Sequence, residues 1–517
     1  MTRMLPLWRA GMLALGVSAL AVGAACAKEL TIGMTSDASV VDPQAGEELN
    51  STILFYHIYD PLVRRTADLK FVPGLAESWE IVDPTTWRFK LRPGVKFHNG
   101  EDFKASDVVF TFNRLKDTNM AELGANVASV MAVDDHTVEI KTPSPFATLP
   151  NKLAEILILS EKNAGAGPDA ETASPLGTGP YKLEDWAKED HITLEAFPEY
   201  WGGKPKIDTV TLRPITNPAT RTAALLTGEL DLVIDLPVRD VDRVKGENGF
   251  SVVEVPSLNN MVLALDFRDK SPTIPLETNP LKDQRVRAAM AQAIDIETIR
   301  KVIMNGFSTP SDQFVPEGSV GYLPDADFHK MYPYDPEKAK ALLAEAGVGD
   351  GFEITLDATN NRYVNDAQIA QAMASMLGKV GIKVNLNLMP KSNFWGYIRN
   401  PSEKSSFIMS GWNVPSADAG AMYQTLYYSR DNDKGYGQVN RGSYSNPELD
   451  KLVDAANATA DVAERDRILK DATALLLKDI PMIPLHYEQD IYGVRDGVTF
   501  EPRRDKYVWA FEMDVAE

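Results

Sequence analysis

The spacing of apolar positions changes period repeatedly along the chain. From Thr86 to Leu91, Trp87, Phe89 and Leu91 alternate with polar residues, the two-residue period of a half-buried strand. Ile382, Val384, Leu386 and Leu388 repeat that pattern, and Leu30 to Met34 predicts an opening strand. Between such runs the period lengthens. Ile369, Ala372, Met373, Met376 and Leu377 follow helical spacing, with Asn365 as the expected cap and Gly381 as the stop. Residues 53–62 predict a buried helix that stops before Pro61, because proline disfavours helix at the residue preceding it. Ser106 is the expected cap of a helix whose Val109, Phe112 and Asn113 share a face. Asp335-Pro336 and Asn446-Pro447 each open a helix with proline in the first turn, where its missing N–H costs nothing. Gly347 closes the first of these, and Leu449, Leu452, Val453 and Ala456 line the second. Residues 463–478 give a further helix through Ile468, Leu469, Ala472, Leu475 and Leu476. Strands separated by helices predict an α/β fold with mixed sheets.

At 517 residues the chain exceeds the roughly 250–300 that one core supports, so at least two core-forming units are expected. Hydrophobic residues make up 44% and charged residues 24%, a composition that folds. The formal charge of −20 repels phosphate backbones and anionic lipid, which argues against nucleic acid and membrane surfaces as partners.

The N-terminus carries a targeting pattern. Arg3 and Arg9 precede an apolar stretch over residues 10–25, and Ala25-Cys26-Ala27 supplies a small-residue cleavage site. Residues 1–27 are therefore expected to be a secretory signal peptide, removed on export to the periplasm. The apolar run is shorter than the ~20 residues of a membrane span. Cys26 is the only cysteine, and Gly23 stands where a lipoprotein signal carries a larger aliphatic residue, so soluble release is expected rather than lipid anchoring. Without Cys26 the mature chain has neither disulfides nor thiolate chemistry. The histidines at 57, 98, 136, 191, 329 and 486 form no pair at helical spacing, so no metal site is expected. His486 alone, near a later crossover, is a weak candidate for metal-chelate uptake. Gly177 and Gly179 lack the following Lys-Ser/Thr of a phosphate loop.

Eight motifs occur in order from Tyr59 onward. They are YDPL (59–62), PGLAESW (73–79), LRPGVKFHNGEDFKASDVVFTFNRL (91–115), GTGPY (177–181), LLTGELDLV (225–233), RVRAAMAQAID (285–295), YDPEKAKALLAEAG (334–347) and YSNPELDKLVDAA (444–456). In this the chain resembles the family 5 extracellular solute-binding proteins of bacterial ABC importers, over essentially the whole mature length. The resemblance implies a two-lobe periplasmic-binding-protein fold of class II-like, Venus-flytrap type. Lobe I would comprise 28–262 and 488–517, with an extra subdomain at about 70–172. Lobe II would comprise 263–487. A monomer is expected, capturing a peptide or other small solute and passing it to an ABC permease and its ATPase. No cofactor is implied.

The same resemblance selects site candidates. Trp412, after a hydrophobic strand in FIMSGWNVPSADAG, corresponds to a tryptophan that walls the cleft. Peptide-binding relatives place an aspartate three residues later to hold the peptide ammonium. Here that place is Pro415, and Asp418 is the substitute expected from a shifted loop. Dipeptide-binding relatives hold the ligand carboxylate with an arginine where this chain has Gln368, and Arg362 is the expected replacement. Asn259, Asn260, Tyr181 and Trp395 complete the candidates. The two missing anchors weaken the case for a simple dipeptide and leave open a modified amino acid, an opine, a sugar or a metal chelate.

No G-x-S-x-G or H-E-x-x-H constellation is present, so no catalytic residue is proposed and the expectation is a binding protein. A ligand sensor or peptide chaperone on the same fold is the remaining alternative.

Overall fold

The computed structural model describes residues 27–46, 48–399, 404–414 and 417–516, together with Met1. The signal segment with Cys26, and Pro415 itself, lie outside the described residues.

An 11-stranded sheet runs through the molecule. In spatial order it contains strands Ile382–Met389, Phe352–Thr359, Phe407–Asn413, Phe250–Leu265, Met482–Arg495, Leu232–Val233, Glu29–Met34, Thr209–Pro214, His191–Ala196 and Tyr181–Ala187, with the short Ser308–Pro310 paired to Met482–Arg495. Parallel pairs occupy the Ile382–Met389 end and flank Glu29–Met34, whereas the middle and the Tyr181–Ala187 end are antiparallel. The two central strands, Phe250–Leu265 and Met482–Arg495, are also the longest. They carry the chain across the molecule. Phe250–Pro256 pairs with Gln489–Arg495, whereas Asn260–Ala264 pairs with Met482–Tyr487. Between these stretches the register shifts from Pro256 to Asn260. A bulge of this kind re-aims side chains and locally interrupts pairing between the same two strands.

Separate hydrophobic clusters flank that break. A large one runs from Met261 to Leu485. A second gathers Leu30 to Leu232 with the returning segment Tyr492 to Met513. A third, from Leu62 to Ile158, packs under a four-stranded antiparallel sheet formed by Ala76–Asp83, Thr86–Leu91, Thr137–Lys141 and Ser129–Asp134. Each cluster buries its own apolar face, so the core is built in parts joined by the two crossing strands.

Most predicted elements form where the periodicity places them. Strands occupy Thr86–Leu91 and Ile382–Met389, and helices occupy Leu49–Ile58, Pro336–Glu345, Asp366–Gly378, Pro447–Ala458 and Val462–Asp479. Two local expectations fail. The helix expected to start at Ser106 begins at Ala105, and Asp107 caps it by accepting from the Lys104 backbone N–H at 2.8 Å. Its buried face is Val108, Thr111, Phe112 and Leu115, and Asn113 points to solvent. Asn365 stands before its helix with φ of 54°, and its amide reaches Ile303 O at 2.8 Å instead of capping. Gly177 and Gly179 are required by close approach. A Cβ would lie 1.9 Å from Ile58 O at the first and 2.6 Å from His57 O at the second.

Candidate functional site

Trp412 ends the strand Phe407–Asn413, beside Asn260 on the first crossing strand. It is half-buried and packs partly on the large core. Its remaining surface lines a cavity of about 550 Å³. One wall of this cavity comes from the same side of the molecule: Trp412, Met422, Thr425, Tyr436 and Asn457. The opposite wall comes from the smaller antiparallel unit: Asn126, Phe146, Thr148, Lys152 and Glu155. Two separately packed bodies thus meet across a space of ligand size. Its lining mixes aromatic faces, amides, hydroxyls and both signs of charge, which suits a polar, partly apolar solute.

Asp418 lies under this cavity and serves the fold. It is 1% exposed, caps the helix Ala419–Leu426 by accepting from Gly420 N at 2.7 Å, and receives Arg465 Nε at 3.1 Å and Nη2 at 2.9 Å. Arg465 Nη1 also donates to Ala456 O. With both oxygens engaged inside the protein, Asp418 has no geometry left for a ligand ammonium, contrary to the expectation from sequence.

Asn260 is likewise enclosed. It is 0% exposed, and its Nδ2 donates to Gln313 O at 3.0 Å and Phe314 O at 3.1 Å, tying the crossing strand to the 313–314 segment. Asn259, half-buried, donates through Nδ2 to Glu488 Oε2 at 2.6 Å, and Glu488 Oε1 accepts from Val364 N at 2.9 Å. These contacts bridge both crossing strands to the segment before the helix Asp366–Gly378. Tyr181 is displaced furthest from expectation. It is 0% exposed inside the second cluster, with its ring 5.6 Å from that of His57 and its hydroxyl unpartnered. Aromatic size marked it as a cleft candidate, but its strand packs inward.

Arg362 is exposed and lies over the Tyr363 ring at 5.0 Å, without a carboxylate partner among the described residues. Trp395 is 39% exposed, with the Arg441 guanidinium 5.7 Å from its ring centre. Gly411 permits the local packing. A Cβ there would lie 2.5 Å from Asn259 Oδ1 and 2.7 Å from Tyr363 Cε1. Asn259, Tyr363 and Gly411 therefore pack together one strand position from Trp412. Sequence reasoning missed Tyr363, Arg441, Glu488 and the Lys152–Glu155 wall, since no periodicity or local motif distinguishes them.

A buried charge group meets the crossing strands at Asp490. Lys506 Nζ lies 2.7 Å from Asp235 Oδ1 and 3.2 Å from Asp490 Oδ1. Burial pushes the Asp490 carboxyl up to about 6 despite Lys506. His486, also on a crossing strand, is 1% exposed with both ring nitrogens unpartnered, and burial holds it down to about 4. It is enclosed rather than open to a metal chelate. Among the described residues no cluster of His, Cys, Asp and Glu is arranged to hold a metal ion.

Comparison with known proteins decides the class. A model described as bacterial extracellular solute-binding proteins, family 5 Middle, matches residues 70–434. The chain belongs to this family. It is the substrate-binding component of an ABC importer, as its relatives are, and family members are periplasmic. The glutathione-binding protein GsiB of Escherichia coli (strain K12) is 30% identical over 495 residues, covering 93% of each chain. The fold is that of the periplasmic binding proteins. The unliganded open form of the murein tripeptide binding protein MppA superposes with a TM-score of 0.81 at 22% identity, covering 95% of this chain and 97% of that one. DppA from Helicobacter pylori in complex with the peptide STSA gives a TM-score of 0.71 at 25% identity, covering 95% and 98%. Among the described residues no helix is long and apolar enough to cross a membrane.

Proposed function

We propose that this protein captures a peptide or peptide-like solute between its two lobes and delivers it to an ABC permease and ATPase. The observation that carries this reading is the cavity of about 550 Å³ with Trp412 on one wall and Phe146 on the other. An aromatic wall supplies apolar burial with a polar handle, and the amides and hydroxyls around it suit peptide groups. GsiB is a glutathione-binding protein, and glutathione is itself a peptide.

In this reading lobe I comprises 28–262 and 488–517, with its subdomain at about 70–172, and lobe II comprises 263–487. The lobes hinge where the crossing strands change register near Pro256–Asn260. Solute drives closure only to the extent that it binds the closed form better. Residues 1–27 direct export and are removed, and the mature monomer acts in the periplasm as a binder without catalysis. Trp412, Trp395, Arg362 and Asn259 are the side chains we assign to the solute.

The test is calorimetric titration of the purified mature chain with short peptides, glutathione included. Trp412→Ala is expected to weaken binding by about 1–3 kcal/mol, the value of a buried apolar contact. An unchanged dissociation constant would remove the cavity from the site, and turnover of the peptide would overturn the binding role.

A further inference from the structure

The strands Val63–Arg65 and Phe71–Pro73 form a hairpin whose turn closes between Thr66 and Lys70. Thr66 N donates to Lys70 O at 2.9 Å, and Leu69 N donates to Thr66 O at 3.0 Å. Leu69 thereby takes the left-handed place at the end of the turn, with φ of 69°. Hairpin loops of this length favour glycine there, because a Cβ crowds the following carbonyl oxygen. Its neighbours Asp68 and Lys70 are exposed and pair with each other at 2.7 Å, whereas Leu69 is 2% exposed. A large apolar side chain is thus held in a disfavoured conformation at a hairpin tip, which persists only where the surroundings enforce it.

What enforces it is a small hydrophobic cluster of its own. Leu69 packs with Leu258 and Ala417, and Phe71 packs against the three. Leu258 lies on the crossing strand Phe250–Leu265, inside the break in pairing between Pro256 and Asn260. Ala417 follows the strand that carries Trp412, and it is also left-handed, with φ of 49°. Its N–H donates to Val414 O at 3.0 Å, and Val414 lines the cavity. Two polar contacts run beside the cluster: Arg504 N donates to Ala67 O at 3.3 Å, and Arg504 Nη1 donates to Glu317 O at 2.7 Å. In the lobe division proposed above, the hairpin, Leu258 and Arg504 belong to lobe I, and Ala417 and Glu317 belong to lobe II. The hairpin tip therefore joins the lobes at the break in the crossing strands. Apolar contact is non-directional, so it can hold two bodies together while they turn about it.

We infer that the Leu69 hairpin tip is the pivot of the hinge: it keeps the lobes in contact at the crossing strands and limits how far they splay. This rests on the proposed lobe division and is independent of which solute binds.

The experiment uses the mature chain, residues 28–517, which contains no cysteine, so spin labels attach only where cysteines are introduced. Labels at Lys204→Cys and Lys383→Cys report across the lobes, and labels at Lys204→Cys and Asn248→Cys report within lobe I; all three positions are exposed. Distance distributions are measured by pulsed electron paramagnetic resonance, without solute, in three backgrounds: native Leu69, Leu69→Gly and Leu69→Asn. Glycine and asparagine both suit the left-handed backbone, so each variant keeps the turn while removing the apolar plug. The interlobe distribution is expected to be at least twice as wide in both variants as with Leu69, and the distribution within lobe I is expected to stay the same. An interlobe width unchanged in either variant would overturn the pivot. Equal widening of the pair within lobe I would also overturn it, by making Leu69 part of that lobe's own fold. Failure of peptides to bind the wild type would sink the proposed function and leave these widths as they are.

Discussion

Two arginines, Arg465 at the Trp412 cavity and Arg441 beside Trp395, meet burial in opposite ways. Arg465 lines the cavity yet has Asp418 against it with two contacts of 3.1 and 2.9 Å. Arg441 is partly buried beside Trp395, with no carboxylate at ion-pair distance among the described residues. The first charge is satisfied within the fold, and the second keeps its terminal nitrogens open to solvent. A charged side chain near a cleft is therefore a candidate ligand contact only after its partners are counted. That count separates Asp418, which sequence alone offered as an anchor, from Arg441, which it did not.

The sharpest way to break this contrast is to strip the satisfied pair. Asp418→Ala leaves a buried guanidinium uncompensated and also removes a helix cap, so stability should fall by about 3–5 kcal/mol. Urea unfolding checks this, and a loss below about 1 kcal/mol would mean that the pair is hydrated in solution.

Histidine provides the next test, because it can answer burial by losing its proton where arginine cannot. His57 and His486 are buried and held down to about 4 from an ordinary 6.5. Their unfolded forms take up protons first, so their contribution is whole above pH 6.5 and lost as pH falls towards 4. Each costs up to about 3 kcal/mol across that window. His486 has no hydrogen bond to lose, so His486→Met should flatten the acid limb of urea midpoints measured between pH 7 and pH 5. An unchanged slope would place the proton elsewhere.

Trp412→Ala comes third, with binding weakened by about 1–3 kcal/mol and the fold retained. The smallest effect belongs to Arg441→Gln in the absence of solute. Removing an unpaired, part-exposed charge should change stability by less than about 1 kcal/mol. A clear loss would reveal a structural partner for Arg441 and close the contrast between the two arginines.

Much of the architecture could be read from the chain because it depends on local periodicity. The helix Pro447–Ala458 follows from Asn446, Pro447 and a stripe through Leu449, Val453 and Ala456, all of which act within a few residues. Failures arose where distant segments decide. Tyr181 has the same local signature whether its strand faces a cleft or a core, and only packing against His57 settles it. Asp418 was legible as an acid near Trp412, but its partner Arg465 is 47 positions away. Asn365 has the residue type of a cap but adopts a left-handed φ of 54°, because its amide is drawn to Ile303. Arg441 carries no signal at all in sequence, since the absence of a partner is a property of three dimensions.

Native mass spectrometry of the protein purified from periplasm, compared with its Trp412→Ala variant, tests the central claim most directly. The account predicts a small peptide-like adduct on the wild type and reduced occupancy in the variant. A wild type without adduct under conditions of active uptake, or an adduct held equally by both, would contradict capture of solute at the Trp412 cavity.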